Sequence, residues 1–292
     1  MTGDTMTWCD SHLHFFALEQ GDYHWLQANH PPFWPDKADI AQPFLPEHIV
    51  QDHHPCRFVH IEAGFDNAAP WREVAWLEAH VDTLKQHGAD IDFRTIACCD
   101  LTLPLSACNA QLEQLIAYNS VVGVRHILDD AAAHLLQQPS VLDNLASVWG
   151  HNLIFELQCD CGDQRVVDAL VSLLDGSTNS KLVINHCGGS AFADNRATEQ
   201  QWQQLARLAQ YPHIYIKASG WEMVDRGFSW NKVEQVVKRL VGIWGEDRVM
   251  LASNAPLLHW RMGYHEYWDT LVKRNGIHPK LLAENAFDIY FK

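Results

Sequence analysis

The chain has 292 residues, 47% of them hydrophobic and 20% charged, enough to bury a large core and within the size range of one α/β barrel. Its 21 basic and 36 acidic side chains leave a formal charge of −15, which argues against nucleic acid as a partner, because a general grip on phosphate backbones rests on Lys and Arg. The opening Met1-Thr2-Gly3-Asp4-Thr5 lacks the basic start and apolar core of a signal peptide, and no apolar run reaches the ~18 residues of a membrane span, so a cytoplasmic protein acting on a small molecule is expected.

Short apolar runs with strand character recur at 7–15, 57–63, 92–99, 121–127, 153–158, 182–187, 214–218 and 249–253. Amphipathic segments separate most of them, among them 71–87, 110–118, 164–174, 199–211 and 231–244, with apolar residues three and four apart. Eight such units, with strands too apolar to have a wet face, predict a parallel (β/α)8 TIM barrel forming a single domain over 1–292. The competing plan is an open doubly wound sheet, but no Gly-rich phosphate loop follows the first strand. Residues 16–46 break the pattern: Tyr23, Trp25, Pro31, Pro32, Phe33, Trp34, Pro35, Pro43, Phe44 and Pro46 give a long aromatic and proline-rich loop after the first strand, either a lid over the barrel mouth or a packing flap. A second Gly-rich, polar stretch at 188–197 also belongs at the mouth.

In this architecture the C-terminal strand ends carry the chemistry. The first strand ends in Asp10-Ser11-His12-Leu13-His14; residues i and i+2 share a face about 7 Å apart, so both imidazoles can converge on one ion or substrate. The other ends supply His60 and Glu62, Asp100, Arg125 and His126, Glu156, His186, Lys217 and Ser219, and Asn254. Burying so many ionisable groups unpaired would cost several kcal/mol each, so a shared polar pocket is the simpler account. The eight cysteines sit mostly in apolar runs and are expected as buried reduced thiols; Cys159-Asp160-Cys161 has no second Cys-x-x-Cys beside it to complete a metal site.

The segments Asp10-Ser11-His12-Leu13-His14, Asp22-Tyr23-His24-Trp25-Leu26, Val122-Gly123-Val124-Arg125-His126, Val183-Ile184-Asn185-His186-Cys187-Gly188-Gly189, Lys217-Ala218-Ser219-Gly220 and Ser253-Asn254-Ala255-Pro256 fall in one order along nearly the whole chain. Together they resemble the amidohydrolase superfamily, in the branch with sugar-lactone and related lactone hydrolases. The resemblance implies a (β/α)8 barrel holding zero or one divalent ion. His12, His14 and His186 would be the ligands of a Zn²⁺ or Mn²⁺ that polarises a carbonyl and acidifies bound water; in a metal-free version they polarise the carbonyl directly. Arg125 matches an arginine that reaches substrate oxygens, with an ion pair to Glu156 or Asp100 as the alternative. His126 is a further candidate for substrate binding, although it alternates to the other side of that strand and only a bend would bring both inward. Lys217 and Ser219 share a face and could bind substrate, or Lys217 could be a buried ion-pair partner; Trp25, Trp34 and Trp221 would shape the pocket.

Asn254 departs from the resemblance. At this strand end the superfamily usually carries an Asp that takes the proton of the attacking water, and an amide cannot act as that base. Glu62, Asp100 or a histidine would then supply the base. The leading expectation is hydrolysis of a small cyclic ester, a sugar or dicarboxylate lactone; the alternatives are a metal-dependent decarboxylase of the same superfamily and a non-catalytic binder of sugar acids. The 12 Trp leave open whether some line a homodimer interface.

Overall fold

The structure, a computed structural model, describes residues 8–51, 54–177 and 179–292; the expected start of the first strand at Thr7 and the segment 1–5 lie outside the described residues. Eight parallel strands form one sheet in sequential order: β1 (Asp10–Leu13), β2 (Cys56–Ile61), β3 (Ile91–Cys98), β4 (Val121–Ile127), β5 (Ile154–Gln158), β6 (Leu182–Ile184), β7 (Ile214–Ala218) and β8 (Val249–Leu251). The sheet curls until β8 returns to β1, where the Asn254 amide N–H donates to the His12 carbonyl at 2.8 Å and the Ser11 hydroxyl to the Leu251 carbonyl at 3.1 Å. The fold is the expected (β/α)8 barrel. Among the described residues no helix is long and apolar enough to cross a membrane.

Helices Trp71–Gln86, Leu105–Leu115, Pro139–Gly150, Gln164–Asp175, Glu199–Leu208, Trp230–Trp244 and Tyr264–Val272 cover the outside. Their starts follow local chemistry: the Asp163 carboxylate, the Thr198 hydroxyl and the Ser229 hydroxyl accept the backbone N–H groups of Arg165, Gln201 and Lys232. The second helix begins at Leu105, earlier than the expected 110, because Pro104 fixes the turn before it and Cys108, Gln111, Leu112 and Leu115 supply the buried face. Inside the barrel, Val59, Ile61, Ile96, Ile154, Val183 and Met250 pack with Ala283, Ala286 and Tyr290, so the C-terminal helix Asn285–Tyr290 plugs the end opposite the site.

Several strands end sooner than their apolar runs, and at β6 and β8 the backbone shows why. β6 stops at Ile184 because the chain turns through left-handed backbone at His186 (φ 48°), Cys187 (φ 60°) and Gly188 (φ 86°), and β8 stops at Leu251 before Asn254 at φ 55°. At Gly188 a side chain would also meet Leu205 at 2.8 Å, so only glycine fits. Strained non-glycine residues of this kind concentrate at functional sites, and here they end the strands that carry His186 and Asn254.

The segment 16–46 lies on the C-terminal face. Phe16 and Phe44 bridge its ends, and Phe16, Tyr23, Leu26 and Ile40 pack with Phe65 and Leu257 from the loops after β2 and β8. The Lys37 ammonium ties it together by donating to the carbonyls of Trp25, Gln27 and His30 at 2.7, 3.1 and 2.6 Å. Arg226, after β7, pairs with Asp36 at 2.7 Å and stacks on Trp260 and Trp34. This is a pinned cover over the mouth.

Candidate active site

The site begins at the end of β1. His14 Nδ1 lies 2.9 Å from the Ile61 carbonyl and 3.2 Å from the Glu62 carbonyl; carbonyls only accept, so Nδ1 carries the proton and Nε2 keeps its lone pair. His12 Nε2 is 3.2 Å from that lone pair, and the Lys217 ammonium faces His12 Nδ1 at 3.5 Å. The consistent assignment is a directed chain: Lys217 donates to His12 Nδ1, His12 Nε2–H donates to His14 Nε2, and His14 Nδ1–H donates to the backbone. Burial holds both imidazoles well below the usual histidine range, and the Lys217 charge adds to this at His12, the Arg125 charge at His14.

Lys217 is fully buried inside the barrel and pairs with both Glu156 oxygens at 2.6 and 2.7 Å. Glu156 also accepts from Asn185 Nδ2 and from the Tyr290 hydroxyl, each at 2.5 Å. Burial pulls the Lys217 ammonium down to about 8 against the opposing pull of Glu156. Of the two alternatives for Lys217 the structure has the buried ion-pair partner; it touches His12 and is not part of the cavity lining.

Arg125 rises from β4 and pairs with Glu62 at 2.7 Å, not with Glu156 or Asp100; it also donates to the Glu62 carbonyl at 3.0 Å and to Gln158 Oε1 at 3.1 Å. Burial pushes the Glu62 carboxyl up, with Arg125 opposing. His126 points away, as strand alternation requires: its Nδ1 accepts the Leu101 N–H at 3.2 Å, beside Asp100. His60 is likewise spent elsewhere, 3.0 Å from Glu73 on the covering helix. Trp25 donates its indole N–H to the Ala63 carbonyl at 2.8 Å and sets its ring against Trp34, so Trp34 is the tryptophan of this loop at the cavity.

His186 stands over His12, ring centroids 4.6 Å apart, with Nδ1 3.0 Å from the Ser219 hydroxyl. Burial, with the nearby charges of Arg125 and Lys217, drops its imidazole to about 3. It borders a cavity of about 300 Å³ at the barrel mouth, whose polar lining is Asp129, Asp130, Gln158, Asp160, Asn185 and Ser190. Pattern reading missed the three aspartates, because they lie in loops where acidic residues carry no periodic signal.

Asn254 donates from Nδ2 to Glu222 Oε1 at 2.5 Å, and both its own Oδ1 and Glu222 Oε2 are buried without a hydrogen-bond partner. Glu222 was also missed; its signal is an acidic residue between Trp221 and Met223 directly after Ser219-Gly220. Burial pushes its carboxyl up to about 7, with the Asn254 hydrogen bond and Arg226 opposing. Asp10 supports this end from below, accepting from the Ser253 hydroxyl at 2.5 Å and from the Ser253 and His12 N–H groups at 3.0 and 3.1 Å.

The expected metal trio can be tested on its donors. The His12 and His14 Nε2 atoms are spaced as two ligands of one ion would be, but a ligand needs a free lone pair. With the Lys217 ammonium on its Nδ1, His12 presents an N–H from Nε2, and the His14 lone pair receives it. Among the described residues no three His, Cys, Asp or Glu side chains are arranged to hold a metal ion, and the His12–His14 pair could ligate one only with His12 in the other tautomer, its Nε2 lone pair free. Cys159 and Cys161, 3.9 Å apart, stand without further ligands, and all eight cysteines are free.

An amidohydrolase family model matches residues 9–292. The L-fucono-1,5-lactonase of Burkholderia multivorans is 24% identical over 285 residues, covering 91% of this chain and 87% of that protein. Among solved structures, an amidohydrolase from Burkholderia multivorans with bound zinc superposes with a TM-score of 0.75 at 21% identity, covering 97% of this chain and 99% of the other. A probable 2-pyrone-4,6-dicarboxylic acid hydrolase from Acinetobacter baumannii with bound citric acid gives 0.66 at 16% identity, covering 98% and 99%. Full-length agreement with the family model, on a barrel whose strand ends gather these side chains, makes this chain a member of the amidohydrolase family.

Proposed function

We propose that this protein hydrolyses a neutral, polyhydroxylated sugar lactone, and that its residues do so without a divalent ion. The observation that carries the substrate class is the charge of the mouth: Asp129, Asp130 and Asp160 line the cavity and no Lys or Arg does. The cations around the site, Arg125, Lys217 and Arg226, already hold Glu62, Glu156 and Asp36. A dicarboxylate would meet repulsion at the rim and find no free cation, whereas sugar hydroxyls donate to carboxylates and Trp34 offers a flat apolar wall. The likeness to an L-fucono-1,5-lactonase supports the same class.

In this reading His186 is the electrophile. With Nδ1 accepting the Ser219 hydroxyl, its Nε2–H faces the lactone carbonyl, and its low proton affinity keeps it a neutral donor at physiological pH. Arg125 fixes Gln158 at the cavity wall and holds Glu62 away from the reacting carbonyl. The Lys217–His12–His14 chain holds the two rings behind His186 in one orientation.

A pH-indicator screen of sugar aldonolactones against dicarboxylate lactones tests the reading. Sugar lactones are expected to turn over with kcat/KM at least a hundredfold above dicarboxylate lactones; the reverse order, or CO₂ release without ring opening, would sink it. His186→Ala is expected to lower kcat roughly 10²–10³-fold, as loss of one oxyanion donor does. Arg125→Ala should lower kcat/KM at least tenfold with the fold intact, by freeing Glu62 and Gln158. Treatment with a strong chelator should leave kcat within twofold; loss of turnover restored by Zn²⁺ or Mn²⁺ would return the histidines to a metal.

A further inference from the structure

Hydrolysis needs a group that takes the proton of the attacking water and returns it to the leaving oxygen, and the ordinary position for that acid holds Asn254. The ionisable groups around the site can be taken in turn. The imidazoles of His12, His14 and His186 are too weakly basic, since burial depresses all three. Glu62 is bound to Arg125 and Glu156 to Lys217, Asn185 and Tyr290. Asp10 accepts three hydrogen bonds from Ser253 and His12. Asp100 is partly exposed and accepts from its own neighbour Thr102. Asp129, Asp130 and Asp160 line the cavity from its loops, and among the described residues Glu222 is the one carboxyl with a buried oxygen that no hydrogen bond occupies.

We propose that Glu222 is the general base of this site, the carboxylate that strand eight lacks, supplied instead from the turn after strand seven and held by Asn254. The inference rests on the hydrolytic reading above. Three observations carry it. Glu222 is completely buried, although a carboxylate is rarely left so without a cation on it. Its Oε1 is fixed by the Asn254 amide, which places it one hydrogen bond from the ordinary position of the acid. Its Oε2 and the Asn254 Oδ1 are both buried acceptors with no partner in the protein, and a single O–H donor shared between them, a water, is the group that would satisfy both.

The groups facing Glu222 are few. Arg226 belongs to the same loop and donates to the Glu222 carbonyl, but its guanidinium is paired with Asp36. Asn254 comes from the end of β8, Cys187 from the turn after β6 and Tyr267 from the covering helix, both of the latter neutral and feeling the Glu222 charge. With no cation seated on the carboxylate, burial dominates, and the group titrates close to neutrality, where a base for this reaction works best. The step balances as follows. The water oxygen bonds to the lactone carbonyl carbon while its proton passes to Glu222 Oε2; the tetrahedral intermediate then breaks its ring C–O bond, and the same proton passes to the departing alkoxide.

The experiment moves the carboxylate across its hydrogen bond. Glu222→Gln, nearly isosteric, is expected to lower kcat at least a hundredfold and to erase the neutral-range limb of the pH–rate profile. The double variant Glu222→Gln/Asn254→Asp, with the carboxylate in the ordinary position, should recover at least tenfold over the single variant. Infrared titration gives a readout independent of turnover: the wild type should lose one buried carboxylic acid band in the neutral range, absent from Glu222→Gln. Wild-type turnover with Glu222→Gln within threefold of it, or a pH profile unmoved by the substitution, overturns the proposal. So does a wild type without the neutral-range band. A wild type that opens no lactone refutes the hydrolytic reading, a different result from a wild type that is active without Glu222.

Discussion

Replacing Lys217 with methionine is expected to destabilise the protein by about 3–5 kcal/mol, the cost of leaving one member of a buried ion pair without its partner. Lys217 and Glu156 are both fully shielded from solvent, so the carboxylate left behind keeps only the Asn185 and Tyr290 hydrogen bonds. Methionine fills much the same volume, so the loss reports the charge and not a cavity. The second half of the prediction follows from that: Lys217→Met/Glu156→Gln should regain a large part of the loss, because a neutral amide no longer needs the ammonium. The exposed Lys273–Asp269 pair, 77% and 61% accessible, is the control, and breaking it should cost under about 1 kcal/mol. Urea unfolding of the four proteins decides the matter; equal losses at the buried and exposed pairs would show that the charges inside the barrel are solvated.

The same pair explains what pattern reading could and could not reach. The eight apolar runs located every strand, because a strand covered on both faces carries a compositional signal of its own. Strand alternation showed that His126 and Arg125 could not both face inward, yet His126, expected as a substrate contact, turns instead to the Leu101 N–H beside Asp100. Pairing was out of reach: that Arg125 would choose Glu62 over Glu156 or Asp100 depends on which strand ends face one another across the barrel, a relation between residues 63 positions apart. The aromatic loop was legible as an irregular segment, with lid and packing flap both open, and which tryptophan reaches the cavity depended on the anchor under Trp25, the Ala63 carbonyl.

The largest omission was Glu222. A single acidic residue in an apolar stretch has no period and no spacing to betray it, and its meaning comes only from Asn254, which is 32 positions away. The C-terminal plug was equally silent, since Asn285–Tyr290 has the same composition whether a helix covers the barrel wall or closes its end. Sequence periodicity reports which side of an element is buried. It does not report against what.

Buried charge in this barrel should also be visible as an unusual dependence of stability on pH. His12, His14 and His186 have proton affinities depressed on folding, so each contributes stability that is present above its unfolded pKa of 6.5 and lost as pH falls toward its folded value, about 3 for His186. Asp10 and Glu222 run the other way: raised from 3.8 to about 6 and from 4.5 to about 7, they contribute stability that is complete below the unfolded values and lost as pH rises through the folded ones. Between pH 5 and 6 the unfolded chain therefore binds more protons than the folded one on these histidines and fewer on these carboxyls. The two sets of groups therefore pull the pH dependence of stability in opposite directions. Glu222→Gln removes one carboxyl that opposes the histidines, so between pH 5 and 6 its stability should climb more steeply than the wild type's, by up to about 1.4 kcal/mol per pH unit. Above pH 7 the wild type carries the full penalty of an ionised buried carboxylate, about 3 kcal/mol for a rise from 4.5 to about 7, and the uncharged glutamine does not. The variant that loses catalysis should thus be the more stable protein at pH 8, as expected where a working site holds a charge the fold would rather exclude. Urea unfolding of both proteins at pH 5, 6 and 8 checks slope and crossover together; parallel curves would mean that Glu222 ionises as freely in the folded protein as in the unfolded chain.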